Sequence, residues 1–429
     1  MSGYGWRKSE GVKGGAITEL REAEAAIRAT VAQAETMAER PIDRVVVNLS
    51  CGHPASRLFN VRWPIGGRVV TEADIRRVVT EGRLQASVQG REVIHTLPID
   101  FTVDDTEGVS DPRGHVCETL KARLHIIDAA TTALLNLETV LARTELKVEA
   151  LVSSPLASGL SVLDADEREL GTTVVDMGGG TTSLAVFGDS QMLHTAQIAV
   201  GGLHVTRDIA RGLSTSLENA ERLKTVYGSA DLSTDVEDEL LTVELLGNDV
   251  PHFEQISRAQ LGRIIRPRME ETLELVREKL DGAGLGMAAS GRIVLTGGGS
   301  LLDGIRPLAE RILGAPVSVG RCRVLPSRAL SGWAAPSRSS TCPKTPPPPQ
   351  GLPRRPGCCS GPQVLSVLLA MLNSAMRHPA VFYANLLLLF ARGFDLATQR
   401  LIESHKFFFR ILSDPPDPTT NPLPLGRCP

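Results

Sequence analysis

Residues 174–182 read VVDMGGGTT, and this stretch decides the fold. Residues 172–177 (TTVVDM) form an apolar run of strand length, and residues 183–188 (SLAVFG) form a second extended run after the glycines. Strand, glycine turn and strand predict a β-hairpin, which differs from the strand-to-helix loop of a P-loop. Because glycine allows close approach and positive φ angles, successive backbone amides of such a turn can point at an anion. The stretch therefore predicts a phosphate cradle.

This turn offers three kinds of group to a phosphate. The glycines have backbone N–H donors, the threonines have hydroxyls, and Asp176 at the strand end could hold Mg²⁺ through water, since Mg²⁺ loses its waters reluctantly. The candidate phosphate-binding residues are Asp176, Gly178, Gly179, Gly180, Thr181 and Thr182. For a single glycine triplet, a hairpin turn without a ligand is the alternative.

A second glycine triplet makes that alternative less favoured. Residues 292–296 (RIVLT) predict a buried strand, and Gly297, Gly298 and Gly299 follow it directly. Two triplets in the same position relative to a strand favour a ligand site over a plain turn.

Between the triplets, residues 217–227 predict a helix that Ser216 can cap. Glu221 and Lys224 are three residues apart on this helix and project from the same face. A carboxylate and an ammonium at that spacing can both reach the hydroxyls of a ribose. An ordinary solvated ion pair is the alternative, and only the order of the surrounding motifs favours contact with a ligand.

Composition excludes several classes of protein. The chain has 429 residues, 42% of them hydrophobic, and a formal net charge of −3, which suits one large bilobed domain or two domains. A charge near zero argues against a nucleic-acid binder, because such domains are strongly basic. The cysteines and histidines show no zinc-ligand spacing, and we find neither a secretory signal nor an apolar stretch of the roughly 20 residues that span a bilayer. We expect a cytoplasmic protein, with attachment to a membrane surface left open.

Periodicity and capping signals predict an α/β chain around the triplets. The predicted elements are a helix over 17–39, a strand over 44–50, a Thr71-capped helix over 72–81, extended residues 92–103, a strand over 121–127, an Asp128-capped helix over 130–144, and a Ser257-capped helix that is interrupted by Pro267 and runs to about residue 280.

The composition changes after Arg321. Residues 326–362 are rich in Pro, Arg, Ser and Cys, which predicts a disordered or polyproline linker and resembles translation in a shifted reading frame. Residues 395–412 could mimic an interfacial amphipathic helix, and an unstructured, aggregation-prone tail is the alternative.

The order of these motifs resembles the actin-like ATPase superfamily and, within it, the FtsA family of bacterial cell-division proteins. VVDMGGGTT is similar to the second phosphate motif of that family, IVLTGGGSLLDG (293–304) to its adenosine motif, and AERLK (220–224) to its ribose-contacting helix. The run 200–228 and REVIHTLPIDFTVDD (91–105) point the same way, as does GVKGGAITEL near the start. The resemblance covers residues 3–321.

The resemblance implies an α/β fold of the actin-like, ribonuclease H-like type, with two lobes and an inserted subdomain. The implied domains are 1–154 for the rest of the first lobe, with the insert over 43–127, then 155–321 for the second lobe and 322–429 for a disordered or aberrant tail. The family's first hairpin, which carries another phosphate motif, is not recognisable in this sequence. We therefore expect the first strands of the sheet to be missing and nucleotide binding to be weak.

The resemblance also implies ATP with Mg²⁺ as the ligand. The implied adenosine-binding residues are Glu221, Lys224, Gly297, Gly298 and Gly299, beside the phosphate-binding residues given above. No catalytic residue is predicted, because Ser154 stands where many relatives place a Glu that orders water, and we expect a slow ATPase at most.

The implied function is a cell-division protein that polymerises on the inner face of the cytoplasmic membrane and ties FtsZ filaments to it. Its implied partners are FtsZ, further copies of itself and the membrane surface, with no nucleic acid. The alternatives are a small-molecule kinase or phosphatase, or a pilus-assembly or chaperone-like ATP-binding module of the same superfamily.

Overall fold

The computed structural model describes residues 3–231, 239–247, 252–284 and 291–320, together with two short strands at 367–368 and 389–390. These residues form two compact units. The described part of the smaller unit is Leu58–Ser87 and Thr96–Ile126, and the larger unit contains the rest of the chain up to Phe390. The predicted domain boundaries stay predictions.

The helices and strands follow one another in an α/β order. They are β1 (Val12–Lys13), β2 (Ala16–Ile17), α1 (Leu20–Ala38), β3 (Arg44–Leu49), β4 (Ala55–Val69), α2 (Glu72–Gln85), β5 (Arg91–Val103), β6 (Thr106–Val109), β7 (Val116–Ala130), α3 (Thr131–Arg143), β8 (Lys147–Ser153), α4 (Ser154–Val162), α5 (Ala165–Glu169), β9 (Thr172–Met177), β10 (Thr182–Gly188), β11 (Gln191–Ile198), α6 (Gly202–Gly212), α7 (Leu217–Tyr227), β12 (Leu240–Leu245), β13 (His252–Ser257), α8 (Arg258–Gly282), β14 (Ile293–Thr296), α9 (Ile305–Leu313), β15 (Val317–Val319), β16 (Val367–Leu368) and β17 (Leu389–Phe390). A 3-10 helix, Gly298–Leu301, lies between β14 and α9.

A five-stranded sheet in the order β11-β10-β9-β14-β15 carries both glycine triplets. The predicted hairpin is confirmed, because β10 pairs antiparallel with β9, with Ser183 opposite Asp176. β14 is parallel to β9 and to β15. All six residues of β9 are buried, as expected for a central strand covered on both faces.

Helices α6, α7, α8 and α9 cover this sheet through one apolar core. The core joins Val175 and Leu295 of the sheet to Ile209, Leu223 and Leu273 of the helices, each of them at most 1% exposed. Burying one such side chain contributes about 1.5–3 kcal/mol, so this layer dominates the stability of the sheet.

Helix α8 differs from the prediction in one respect. Ser257 caps it as expected, its hydroxyl accepting from Gln260 N–H at 3.1 Å. The predicted interruption at Pro267 is wrong, because the helix continues through this residue for 25 residues in all. Tertiary packing of its buried face, including Ile265 and Met269 on either side of the proline, outweighs the lost backbone hydrogen bond.

Strands β3 and β8 form a second, parallel pair within the larger unit. Its apolar face packs against α1 and α3, through Val45 and Val47 of β3, Ile27 of α1 and Leu141 of α3. At the carboxyl end of β8, α4 starts with Pro155 in its first turn, where a missing N–H is tolerated.

The smaller unit centres on the four-stranded sheet β4-β7-β5-β6 and on helix α2. Helix α2 begins after Thr71, as predicted, and it runs four residues beyond the predicted end. At Gly82 an added Cβ would lie 2.2 Å from Leu124 Cδ1, so glycine allows the helix to lie close to β7.

The predicted role of Asp128 as a helix cap is wrong. Helix α3 starts at Thr131, with Ala130 in the cap position, because β7 continues through Ala130. The buried carboxylate of Asp128 instead accepts hydrogen bonds from Arg57 and Arg91. Arg57 lies on β4 and Arg91 on β5, so both partners are distant in sequence from Asp128, and a local capping rule cannot identify them.

The predictions for the linker at 326–362, the segment 395–412 and the remainder of the tail lie outside the described residues.

Candidate functional site

Both glycine triplets start at the same edge of the five-stranded sheet. Because β9 and β14 are parallel neighbours with Thr296 opposite Asp176, their carboxyl ends coincide. Gly178 directly follows the last residue of β9, and Gly297 directly follows the last residue of β14. Carboxyl edges of neighbouring parallel strands are the usual place for ligand sites in α/β sheets.

The first turn leaves successive backbone donors unused. Gly178 N–H closes the hairpin by donating to Thr181 O at 2.9 Å. The next amides, those of Gly179, Gly180 and Thr181, have no hydrogen-bond acceptor among the residues that the structure describes. Neighbouring free N–H groups in a turn form an anion-binding concavity. The turn is therefore chemically suited to phosphoryl oxygens.

The carbonyls of the turn are held from the other side by helix α6. Gly202 N–H donates to Gly178 O at 2.9 Å, and Leu203 N–H donates to Gly179 O at 2.8 Å. A Cβ at Gly201 would lie 2.6 Å from Gly178 O, so only glycine fits there. Sequence reasoning gave Gly201 and Gly202 no role, although a glycine pair directly before a helix was the available signal.

The sequence argument about glycine φ angles is wrong for the first triplet. Positive φ occurs at Gly297, at 81°, but at none of Gly178, Gly179 and Gly180. The close approach of the turn and α6 instead requires glycine at Gly201, which the hairpin geometry alone does not reveal.

Asp176 lies at the end of β9 and is 4% exposed. Its Oδ2 accepts a hydrogen bond of 2.6 Å from the hydroxyl of Ser158 in α4, a residue that sequence reasoning missed. A buried carboxylate with one oxygen already engaged fits a water-mediated contact to Mg²⁺ better than a direct one. Asp176 would then orient a water of the ion, and Mg²⁺ would supply charge neutralisation for the phosphates.

The two threonines of the first turn differ in what they can offer. Thr182 is buried, and its hydroxyl donates to Val200 O at 2.8 Å. The hydroxyl of Thr181 has no hydrogen-bond partner within the described part of the chain. Of the two predicted hydroxyl donors, Thr181 is thus the one left available to a ligand.

In the second triplet, two glycines serve packing and one faces open space. A Cβ at Gly297 would lie 2.5 Å from Asp176 Oδ1, and one at Gly299 would lie 2.8 Å from Met177 Cβ. No described heavy atom lies within 4 Å of a Cβ built at Gly298. The position where a ligand can approach most closely is therefore Gly298.

The predicted pair on α7 is brought close to the first turn. Lys224 Nζ lies 2.7 Å from Glu221 Oε2, 2.8 Å from Thr206 Oγ1 and 3.0 Å from Gly202 O. The side chains of Lys224 and Glu221 are only 16% and 15% exposed, so this pair is not the solvated ion pair considered as the alternative. Through Gly202 it is connected to the phosphate turn.

The tip of the β1–β2 hairpin also meets the first turn. A Cβ at Gly180 would lie 3.4 Å from Gly14 N and 3.5 Å from Gly14 Cα. Gly14 and Gly15 both have positive φ, 55° and 81°, as a two-residue hairpin turn requires. Lys13, next to this tip, is exposed and has no ion-pair partner among the described residues. Sequence reasoning used this segment only as a family signature.

Other candidate chemistries find less support. Among the described ranges, no group of three or more His, Cys, Asp or Glu side chains is arranged as a metal site. Burial raises the pKa of the Cys51 thiol to about 11, which keeps it protonated and unreactive at neutral pH. In the same ranges no helix is both long enough and apolar enough to cross a membrane.

Comparison with known proteins shows the same organisation. The family model "Cell division protein FtsA" matches residues 173–341, and the model "SHS2 domain inserted in FTSA" matches residues 51–128. The first of these matches contains both glycine triplets and helix α7.

Individual relatives agree. The chain is 42% identical over 320 residues to the cell division protein FtsA of Agrobacterium fabrum, which covers 74% of this chain and 72% of the relative. It is 33% identical over 325 residues to the cell division protein FtsA of Escherichia coli K12, covering 74% and 77% of the two chains.

Among solved structures, the chain is similar to the PilM–PilN type IV pilus biogenesis complex, with a TM-score of 0.50 and 20% identity over 72% of this chain and 77% of that one. This similarity confirms the actin-like α/β fold, a fold that binds nucleotides, and at such low identity it says nothing more. The kinase, chaperone and pilus-assembly alternatives are not favoured, because the curated relatives named above, at 42% and 33% identity, are both described as cell division protein FtsA. The chain belongs to the FtsA family of bacterial cell-division proteins.

Proposed function

We propose that this chain is an ATP-binding adaptor of the division septum, which assembles with FtsZ filaments and with copies of itself at the inner face of the cytoplasmic membrane. Family membership supports the division role, and the geometry of the sheet edge supports the nucleotide. To family membership we add three proposed features: ATP with Mg²⁺ as the ligand, filament formation, and peripheral attachment to the membrane.

One observation carries the nucleotide part of the proposal. The pairing of Thr296 with Asp176 places both glycine triplets at one sheet edge, with free amides at residues 179–181 and an open position at Gly298. Phosphates would lie against the first turn and the adenosine beside Gly298 and helix α7. The separation of polar donors from an open glycine suits a ligand with a charged and an uncharged end.

The hairpin tip at Gly14 would form the other side of the phosphate site. Because Gly14 approaches Gly180 closely, a phosphate on the free amides lies within reach of the flexible stem of Lys13. Lys13 would supply a positive charge to the terminal phosphates. The sequence motifs did not connect this hairpin, which carries Lys13 and Gly14, with phosphate binding.

The chain is proposed to use ATP mainly as an assembly ligand. A rapid hydrolase needs a general base or a residue that orders water beside the γ-phosphate. Helix α4 instead begins with Ser154, which is 5% exposed and carries no charge. We therefore expect slow turnover, at most.

Nucleotide titration tests the site. Calorimetry with Mg-ATP, Mg-ADP and AMP on the full chain should show binding that strengthens with the number of phosphates. Absence of binding by the folded full chain would refute the proposal.

Co-sedimentation tests the adaptor role. FtsZ filaments and vesicles of anionic phospholipid are spun separately and together with the full chain, with and without Mg-ATP. The proposal expects the protein in the pellet with each of them, and more FtsZ with the vesicles when the protein is present. If FtsZ pelleting is unchanged by the protein at saturating ATP, the adaptor role is wrong even where nucleotide binding is intact.

A further inference from the structure

We propose that Thr206 is a positioning residue of the nucleotide site, which holds Lys224 and Glu221 so that they connect the sugar side of the site to the phosphate turn. The proposal rests on the proposed function, since it assigns the recognition of a sugar hydroxyl to one atom, Oε1 of Glu221. It also assigns Lys224 an internal role instead of contact with the ligand.

The ammonium of Lys224 has no donor left for a ligand. A lysine side chain carries three N–H donors and no acceptor. The structure places three oxygens around Nζ, those of Glu221, Thr206 and Gly202, at 2.7, 2.8 and 3.0 Å. Each donor therefore has one acceptor inside the protein. Contact with a ribose would require one of these bonds to break.

Glu221 has one carboxylate oxygen to spare. Its Oε2 accepts from Lys224 and from the hydroxyl of Thr206. Its Oε1 has no hydrogen-bond partner among the described residues. An ionised carboxylate only accepts, so Oε1 is suited to the O–H donors of a sugar.

The hydroxyl of Thr206 fixes which atoms are used. It has a single proton and two acceptors within reach, Glu221 Oε2 and, at 3.0 Å, its own helix carbonyl Gly202 O. The contact with the carboxylate is the shorter, and a charged acceptor makes the stronger bond, so the proton is assigned to Glu221 while the lone pairs accept from Lys224. Thr206 itself is 2% exposed and cannot touch a ligand. It acts through Glu221 and Lys224, both of which its hydroxyl contacts.

A continuous series of hydrogen bonds leads from this cluster to the phosphate turn. Lys224 Nζ donates to Gly202 O, and the backbone N–H of Gly202 donates to Gly178 O at 2.9 Å. A movement of α7 would therefore displace the carbonyl of Gly178, the first glycine of the turn. An exposed ion pair contributes little to stability, but the Lys224–Glu221 pair is largely buried, and every N–H donor of Lys224 is bonded.

The first experiment measures selectivity for the sugar. The affinities of the full chain for Mg-ATP and for its 2′-deoxy and 3′-deoxy forms are compared in the wild type, Thr206→Val, Thr206→Ser and the matched control Thr225→Val. Thr225 lies on α7, the helix that carries Glu221 and Lys224, but its hydroxyl only contacts helix carbonyls. We expect a preference for ATP over a deoxy form of about tenfold, lost in Thr206→Val and kept in Thr206→Ser and Thr225→Val.

The second experiment needs no nucleotide. Hydrogen exchange of the chain as it stands should be faster at the bonded amides of Gly178, Gly202 and Leu203 in Thr206→Val and in Lys224→Met, and unchanged in Thr225→Val. Equal exchange in all four proteins would overturn the proposed connection. A preserved ATP preference in Thr206→Val would overturn the positioning of Glu221. A wild type that binds no nucleotide contradicts the proposed function instead, and the exchange data then decide the connection by themselves.

Discussion

The hydroxyl of Ser158 donates a 2.6 Å hydrogen bond to Asp176 Oδ2, and both side chains are at most 4% exposed. Ser158 belongs to α4, whereas Asp176 ends β9, so the bond joins a helix of one chain segment to the strand that carries the phosphate turn. A carboxylate buried at this depth depends on such donors, because burial penalises its charge.

Replacing Ser158 by Ala should therefore destabilise the larger unit. Loss of a hydrogen bond to a charged group lowers the free energy of unfolding by about 1.5–3 kcal/mol. Urea denaturation followed by circular dichroism measures this change. Ser161→Ala is the matched control, since Ser161 only donates to the helix carbonyl of Ser158, and it should change stability by less than about 1 kcal/mol. Equal effects of the two variants would contradict the importance of the Asp176 contact.

The second glycine triplet allows packing and ligand contact to be separated. Gly297→Ala combines a positive φ with a clash at Asp176 and should lower stability by about 1–3 kcal/mol. Gly298→Ala meets no described atom within 4 Å and should change stability by no more than about 0.5 kcal/mol. Thermal unfolding gives both values.

Gly298→Ala should affect the affinity for Mg-ATP more than it affects stability. We expect Gly298→Ala to weaken Mg-ATP binding by the full chain about tenfold, because the added methyl group occupies space open to the ligand. Unchanged affinity in a well-folded Gly298→Ala would place the adenosine elsewhere.

The hairpin and its neighbours could be predicted from sequence because the signals are local. Alternation of apolar residues and a glycine triplet define β9, the turn and β10 within 17 consecutive residues, Thr172 to Gly188. The capping of α7 by Ser216 and of α8 by Ser257 is local in the same sense, since each serine hydroxyl accepts a hydrogen bond from the backbone amide three residues ahead.

The contacts that complete the site could not be predicted because they join distant segments. Gly14 and Gly180 are far apart in sequence, and so are Ser158 and Asp176. Asp128 follows the local rule for a helix cap, yet two arginines from other strands take its carboxylate. Local propensity sets which residues can make such contacts, and tertiary packing decides which of them do.

Lys13 offers a test of the second wall of the phosphate site. If its ammonium meets the terminal phosphates, Lys13→Ala should weaken Mg-ATP binding by the full chain about tenfold and AMP binding much less. The difference between variant and wild type should shrink at high salt, because screening weakens exposed charges. Lys147→Ala is the control, since Lys147 is also exposed and without an ion pair among the described residues. A loss that is equal for ATP and AMP would exclude contact with the terminal phosphates.

The smaller unit should lose stability in acid through Asp74. Arg68 donates to both carboxylate oxygens at 2.6 Å, and Thr71 N–H donates to one of them at 2.9 Å. The Arg68 hydrogen bonds hold the pKa of Asp74 far below its ordinary value, although burial acts in the opposite direction. In the unfolded chain the pKa is about 3.9, so the unfolded state takes up the proton first as the pH falls. The stabilisation is therefore complete above about pH 5 and is lost progressively below it.

Asp74→Asn removes this dependence. At pH 7 the variant should be less stable than the wild type by about 1.5–3 kcal/mol, and the difference should narrow between pH 5 and pH 2. Hydrogen exchange of the α2 amides as a function of pH reports on this unit. Asp111→Asn is the control, because Asp111 and Arg113 form an ion pair in which both side chains are about half exposed, 51% and 52%, and such pairs contribute at most about 1 kcal/mol. A difference for Asp74→Asn that widens in acid would reverse the expected sign and show that the carboxylate is protonated in the folded unit.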